Sequence, residues 1–432
     1  MYSISTKQSL QGDLTIPGSK SHTIRAALMA ALAEGTSVIH NPLASEDCLS
    51  AVRAARTFGA EVIEEKGRWI VTGFGSRIKV PDDVVDCGNS GTTTVFVMAL
   101  AALCQGYTVV TGDYQIRRRP VLQMVDALRE LGAEAFLTRP GQDAPPAVIG
   151  GVMKGGTAHF PGLTSPVISA VLMAGAAGPA DVTVEVAEPR EVPYIQMTIG
   201  WMRRYGVTLA EQSPDYRHFR VAGGQTYRAV ESTVPGDWSA AAFPLVAAVC
   251  TPSELAVSGV DLADVQGDKA VVDHLISMGA DITKDASGGV LLVRGGKSLK
   301  GGAVISLKDI PDALPALSAA ACYARGDTVF TGLAHVRLKE TDRVAVMERE
   351  LTKLGAWIET TGDALIVHGG IPLTGAEVES HNDHRVAMAL TVAGLFSQGT
   401  TRVKDAECAA VSFPGFFELM NSAGAHIDIS GE

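Results

Sequence analysis

The chain lacks any uncharged apolar run long enough to cross a bilayer. Its longest stretches, such as Ala240 to Cys250, fall far short of the roughly 20 residues that a spanning helix needs. It also lacks the basic start and apolar run of a secretory leader, opening instead with M-Y-S-I-S-T-K-Q. Cysteine is scarce and scattered, six in 432 residues with no paired spacing, so neither a disulfide framework nor a Cys/His metal site is expected. A reduced cytoplasm fits these absences. Positive charge is in deficit as well, with 36 Lys and Arg against 47 Asp and Glu and a net charge of -11. That argues against a general nucleic-acid surface, because phosphate backbones are bound mainly by excess Lys and Arg. Neither nucleic acid nor membrane is expected as a partner.

What the chain does have is apolar material, 46% of its residues against 19% charged. At this length a single core is too small a container, and two domains of roughly 200 residues each are expected. The sequence also repeats itself. An amphipathic stretch ending in a small Gly step and then a β-like segment recurs as T-F-G-A-E-V, E-L-G-A-E-A, R-Y-G-V-T-L, S-M-G-A-D-I, K-L-G-A-W-I and S-A-G-A-H-I. The glycines are Gly59, Gly132, Gly206, Gly279, Gly355 and Gly424, separated by 73, 74, 73, 76 and 69 residues. Glycine there supplies a left-handed helix cap, and the apolar or β-branched residues after it start a strand. The preceding stretches carry helical spacing, as in Val121, Met124, Val125, Leu128 and Leu131. Roughly 72 residues exceed a short solenoid repeat and suffice for a small sheet plus two helices. Six α/β modules, three per domain around a pseudo-threefold axis, are expected.

The chemistry-bearing motifs lie at loops and helix starts. P-G-S-K-S-H-T-I-R places Lys20, Ser21 and Arg25 around a helix amino terminus, which is a natural anion site. D-C-G-N-S-G-T-T-T, from Asp86 to Thr94, is a Gly-rich turn whose hydroxyls and amides could cradle a phosphate. R-R-R-P, Arg117 to Pro120, gathers three guanidiniums whose mutual repulsion a bound polyanion would relieve. Further on, D-I-P-D-A-L places Asp312 at the start of an apolar helix. V-R-L-K-E-T-D-R crowds Arg337, Lys339, Glu340, Asp342 and Arg343 together, and H-N-D-H-R ends on Arg385 before a small-residue helix. Taken singly, each is also what an ordinary capped helix or solvated face needs.

Taken in order, P-G-S-K-S, G-N-S-G-T-T, R-R-R-P, E-P-R-E-V-P-Y-I, P-G-D-W-S-A-A-A-F, Q-G-D, I-P-D-A, K-E-T-D-R and N-D-H-R-V-A-M resemble the 5-enolpyruvylshikimate-3-phosphate (EPSP) synthase family over essentially the full chain. To the related UDP-N-acetylglucosamine enolpyruvyl transferases it is similar only in its repeat plan, having Lys20-Ser21 where they have Lys-Asn. The resemblance implies a two-domain inside-out α/β barrel of six βαβαββ modules. Residues 1–19 would join 236–432 in one domain and 20–235 would form the other, with hinges near Ser19 and Pro235, an active site in the interdomain cleft and closure on substrates.

The implied reaction moves the enolpyruvyl group of phosphoenolpyruvate to the 5-hydroxyl of shikimate 3-phosphate, releasing phosphate through a tetrahedral adduct, with no metal or organic cofactor and a monomeric enzyme. By the same resemblance Asp312, Glu340 and Lys20 are catalytic. Lys20, Gly91, Arg119, Arg343 and Arg385 would hold phosphoenolpyruvate, and Ser21, Arg25, Thr164, Ser165, Tyr194, Asp312 and Lys339 the acceptor. Guanidiniums suit the first task, since they grip carboxylate and phosphate bidentately. Asp312 matches the base for the acceptor hydroxyl, with proton donation divided between Glu340 and Lys20.

Five positions depart from the family pattern. Val95 replaces an arginine and Val411 a lysine, both on the phosphoenolpyruvate side. On the acceptor side Ser-Ser-Gln becomes Thr164-Ser165-Pro166, a serine becomes Glu191 and an asparagine becomes His335. Proline cannot replace an amide donor, and Glu191 would repel an anionic acceptor unless turned away or neutralised. Three readings follow: EPSP synthase with Arg117 or Arg118 compensating for Val95, an enolpyruvyl transferase for another phosphorylated alcohol, and an inactive phosphometabolite-binding protein. Asp312, Glu340 and Lys20 weigh against the last, since binding alone needs neither base nor acid.

Overall fold

Each Gly step closes a helix. In the structure, a computed structural model that describes residues 1–162, 164–285 and 289–431, the six glycines all have positive φ, between 82° and 106°. They follow the helices Glu46–Thr57, Leu122–Glu130, Val192–Arg204, Ala270–Ser277, Arg343–Lys353 and Phe416–Ser422. At the first of them the Gly59 amide returns to the Arg56 carbonyl and the Ala60 amide to the Ala55 carbonyl, each at 3.0 Å, so the last-turn carbonyls are satisfied within the turn. These helices are amphipathic; in Leu122–Glu130 the buried residues are Met124, Val125, Ala127 and Leu128.

A second set of helices is rich in small and apolar residues and buried along nearly its whole length: Lys20–Leu32, Gly91–Ala101, Ser165–Ala177, Trp238–Cys250, Leu314–Tyr323 and His384–Gly394. A helix with no polar face belongs in the middle of a core. Trp238–Cys250, Leu314–Tyr323 and His384–Gly394 pack against one another.

Among the described residues the strands form six four-stranded sheets of one design. In every sheet the first pair is parallel and the next two pairs are antiparallel. The strand that follows each Gly step is the edge strand, as with Glu61–Glu65 beside Arg68–Thr72.

The chain divides into two compact units, residues 18–234 and residues 1–17 with 235–432, and each holds three of the sheets. Two opening strands tie the first residues to the carboxy-half unit. Tyr2–Thr6 pairs antiparallel with Thr400–Lys404, and Leu10–Thr15 pairs parallel with Ser253–Ser258. In the amino-half unit the closing strand Glu231–Thr233 returns to lie parallel to Thr36–His40. Each unit has its own apolar core.

Sheet and buried helix meet closely where the third strand ends. A Cβ on Gly295, just after Val290–Arg294, would lie 1.7 Å from the Ala248 carbonyl oxygen and 2.3 Å from that of Thr251, at the end of Trp238–Cys250. Gly369 stands in the same relation to Ala321 and Ala324, at 2.2 Å from each carbonyl oxygen. Backbone carbonyls cannot step aside as a flexible side chain can. Gly295→Ala is therefore expected to cost about 1–3 kcal/mol in urea unfolding, as overpacking does. Gly289→Ala, where a Cβ would meet nothing within 4 Å, should stay within about 0.5 kcal/mol of the parent.

Candidate active site

The carboxy-half unit gathers charge at the starts of two of its helices. Arg343 opens the helix Arg343–Lys353 and its side chain is 1% exposed. Burying a guanidinium is tolerable only if it is paired and hydrogen-bonded, and Arg343 is paired three times. Its Nη1 donates to Asp312 Oδ1 at 2.7 Å, its Nη2 to Glu340 Oε2 at 2.5 Å and its Nε to Asp383 Oδ2 at 2.8 Å. Asp312 stands in the short turn Pro311–Ala313 that leads into Leu314–Tyr323, and its Oδ2 also faces Arg385 Nη2 at 3.1 Å.

The electrostatics follow from these contacts. Burial pushes the Asp312 carboxyl up, but Arg385, Lys339 and Arg343 outweigh it and hold the group well below the usual carboxylate range. Burial pulls Arg343 down, and Asp383, Glu340 and Asp312 more than reverse it. Arg385 behaves likewise, with Asp312 as its main support. Asp312 is thus an ionised carboxylate between two buried cations, a proton acceptor whose basicity depends on what those cations face.

Asp383 does double duty. Besides pairing with Arg343, it caps His384–Gly394, accepting from the Arg385 amide at 3.0 Å. The turn that delivers it passes through His381 and Asn382, both at positive φ, 54° and 57°. Glu350, fully buried, holds that turn: it accepts from His381 Nε2 at 2.9 Å, the Glu379 amide at 3.0 Å, Lys353 Nζ at 2.7 Å and Arg349 Nε at 3.1 Å. Burial raises the Glu350 carboxyl, and these four donors overcome that and bring it down to about 2.

In the amino-half unit, Lys20 opens the helix Lys20–Leu32 behind its cap Ser19, and its Nζ lies 2.8 Å from Asp47 Oδ2. Ser21 follows it and offers its carbonyl to Arg25 Nη1 at 3.0 Å. Arg25, 1% exposed, also donates to Thr198 Oγ1 at 2.7 Å and lies 5.4 Å from the Phe96 ring centroid. Burial brings its guanidinium down to about 10, against the pull of Tyr194 and Glu191. Gly91 opens Gly91–Ala101 behind the cap Ser90. A Cβ there would come within 2.7 Å of Arg119 Nη1, so glycine lets the Arg119 guanidinium lie on the backbone of the helix start. Thr164 precedes Ser165–Ala177 without a side-chain cap bond, and the first residue of that helix gives both its amide and its hydroxyl to Glu191 Oε2, at 2.9 and 2.8 Å. Tyr194 is buried on Val192–Arg204.

The amino-half unit thus places Ser21 and Arg25 on Lys20–Leu32, Ser165 on Ser165–Ala177 and Tyr194 on Val192–Arg204, with Lys20 and Gly91 at helix starts and Arg119 against the second of these. The carboxy-half unit brings together Asp312, Lys339, Glu340, Arg343 and Arg385. Of the departures, Val95 is buried on its helix at 6% exposure and His335 is fully buried, while Val411 is half-buried. Arg117 donates to the Gly112 carbonyl and Arg118 lies over the Tyr114 ring. Sequence reasoning passed over Asp383, Asp47 and Thr198. The first had a signal, an Asp directly before a small-residue helix. Asp47 and Thr198 have none, because their partners are 27 and 173 residues away in sequence.

Comparison with known proteins gives a consistent set of relatives. A family model described as EPSP synthase (3-phosphoshikimate 1-carboxyvinyltransferase) matches residues 4–420. A 3-phosphoshikimate 1-carboxyvinyltransferase of Ruminiclostridium cellulolyticum is 43% identical over 98% of each chain. One of Halobacterium salinarum is 41% identical over 99% of this chain and 100% of that one. An EPSP synthase structure from Acinetobacter baumannii superposes with a TM-score of 0.83 at 30% identity, covering 100% of both chains.

Two measurements check the site's electrostatics. Asp383→Ala leaves a buried guanidinium short of a partner and is expected to cost about 3–5 kcal/mol in denaturant unfolding. Asp342→Ala, which removes a half-exposed cap, should cost only about 1 kcal/mol. The second concerns acid. Glu350 stays ionised in the fold down to about 2, whereas an ordinary glutamate protonates near 4.5. Its stabilisation is therefore complete above about 4.5 and drains away as pH falls towards about 2. Unfolding curves between those limits should lose part of their pH dependence in Glu350→Gln.

Proposed function

The chain belongs to the EPSP synthase family, and from that premise we infer that it transfers the enolpyruvyl group of phosphoenolpyruvate to the 5-hydroxyl of shikimate 3-phosphate. The observation that carries this is the ionised Asp312 held between Arg343 and Arg385: a base directly beside two cations suited to a doubly anionic substrate. Lys20, Gly91, Arg119, Arg343 and Arg385 are assigned to phosphoenolpyruvate. Ser21, Arg25, Thr164, Ser165, Tyr194, Asp312 and Lys339 are assigned to the acceptor, with Ser165, at a helix amino terminus, taking its phosphate.

The roles follow from the charges. The acceptor hydroxyl gives its proton to Asp312 as its oxygen bonds to C2 of phosphoenolpyruvate. With that bond formation the π electrons of C2–C3 take a proton at C3, from Glu340 or Lys20, leaving a tetrahedral adduct. Return of a C3 proton to that group re-forms the double bond as the C2–O bond breaks and phosphate leaves with its electron pair. Asp312 is a weak base while Arg385, Lys339 and Arg343 face it alone. An anion on Arg343 and Arg385 offsets their charge and raises the affinity of Asp312 for a proton. Base strength is thereby coupled to the binding of phosphoenolpyruvate.

The same reading takes each unit as three βαβαββ modules about a pseudo-threefold axis, together an inside-out α/β barrel. Its support is the common strand order of the six sheets.

Phosphate release from phosphoenolpyruvate, measured with and without shikimate 3-phosphate, tests the activity. Release is expected to need the acceptor and to fall by about 10²–10⁴-fold in kcat in Asp312→Ala, as loss of a general base does. Acceptor-independent release, or an unchanged variant, would sink the assignment.

A further inference from the structure

Glu191 and Asp47 are the buried carboxylates of the amino-half unit among its described residues. Asp47 is paired with Lys20, whereas Glu191 is directed at a helix start. It stands at φ 53°, ψ 37°, a left-handed conformation that residues with a Cβ seldom adopt, and is 2% exposed. Its carboxylate lies inside the unit, where one oxygen takes both the amide and the hydroxyl of Ser165. The buried cation Arg25 is close enough to feel its charge.

We propose that Glu191 is a built-in competitor for the acceptor's phosphate, and so a specificity-determining residue of this chain. The inference rests on the assignment of Ser165 to that phosphate. A carboxylate and a phosphate monoester ask for the same donors, an N–H at a helix start and a neighbouring hydroxyl. Both donors of Ser165 are already given to Glu191. The next residue, Pro166, has no N–H to add. An incoming phosphate therefore has to displace Glu191, and the like charges prevent the two from sharing the site. The affinity for a phosphorylated acceptor is the intrinsic affinity reduced by the fraction of time that Glu191 leaves Ser165 free. Phosphoenolpyruvate, held by other residues, carries no such penalty.

Calorimetric titration of the ligand-free protein with inorganic phosphate, beside steady-state kinetics, decides the matter. Glu191→Ser is expected to bind phosphate about tenfold more tightly and to lower KM for shikimate 3-phosphate by a similar factor, leaving KM for phosphoenolpyruvate within about threefold. Glu191→Gln keeps the shape and an oxygen for Ser165 but not the charge, and should gain less; it also serves if the serine variant fails to fold. Phosphate affinity and acceptor KM unchanged in the folded variants would overturn the proposal. If neither parent nor variant turns over shikimate 3-phosphate, the assigned activity fails while the phosphate titration still judges Glu191.

Discussion

A helix buried on every side has no water for the N–H groups of its first turn, and most of the polar chemistry of this chain answers that constraint. Ser19, Ser90, Asp237 and Asp383 cap four of the six buried helices with their own side chains. Ser165–Ala177 draws a carboxylate from another segment, Glu191. Leu314–Tyr323 is entered through the turn that carries Asp312. The capping residues are themselves buried, so they are fixed by packing rather than free to sample solvent. Fixed polar groups at helix starts, where the macrodipole favours negative charge, are also what anionic substrates need. The requirement of the fold and that of the proposed chemistry coincide at the same residues.

The Arg343 cluster shows how far this coupling goes. Two guanidiniums, Arg343 and Arg385, touch three carboxylates, Asp312, Glu340 and Asp383, and Lys339 adds its charge to the field at Asp312. The count is close to neutral, as a buried charge cluster must be. An added anion upsets it, and the least costly correction is a proton on the least encumbered carboxylate. Asp312 is the most exposed of the three, at 20% against 7% for Glu340 and 0% for Asp383. Anion binding and proton uptake are linked there by electrostatics alone.

The repeat was legible in sequence because it obeys a local rule: a left-handed cap needs glycine, and the positive φ values of Gly59, Gly132, Gly206, Gly279, Gly355 and Gly424 follow from that rule. Motifs at helix starts were legible for the same reason, since capping is decided within a few residues. Lys20, Gly91, Asp312 and Arg385 all lie at or beside such starts. What was not legible is long-range. The pairing of Lys20 with Asp47, of Arg25 with Thr198, and of Glu350 with the turn at His381 depends on which helices pack together. The orientation of Glu191 was also hidden. Its sequence setting suggested a charge that would repel the acceptor unless turned away or neutralised, and did not show that its carboxylate is held by the amide and hydroxyl of Ser165.

The departures from the family pattern fall where the physics is forgiving. Val95 lies in the apolar body of a helix, His335 is enclosed at the start of a short turn, and Pro166 occupies a first-turn position that proline suits. Glu191 accepts from the amide of Ser165, which is thereby satisfied. Pro166 and Glu191 between them leave no donor of the first two residues of that helix unserved. The cluster of Asp312, Lys339, Glu340, Arg343 and Arg385 holds no departure. A network of paired buried charges cannot lose one member without stranding another, at a cost several times that of an exposed contact. Chemistry built on such a network resists substitution, whereas recognition built on helix caps can drift. On this chain that places variation in the affinity for the acceptor rather than in the proposed proton transfers.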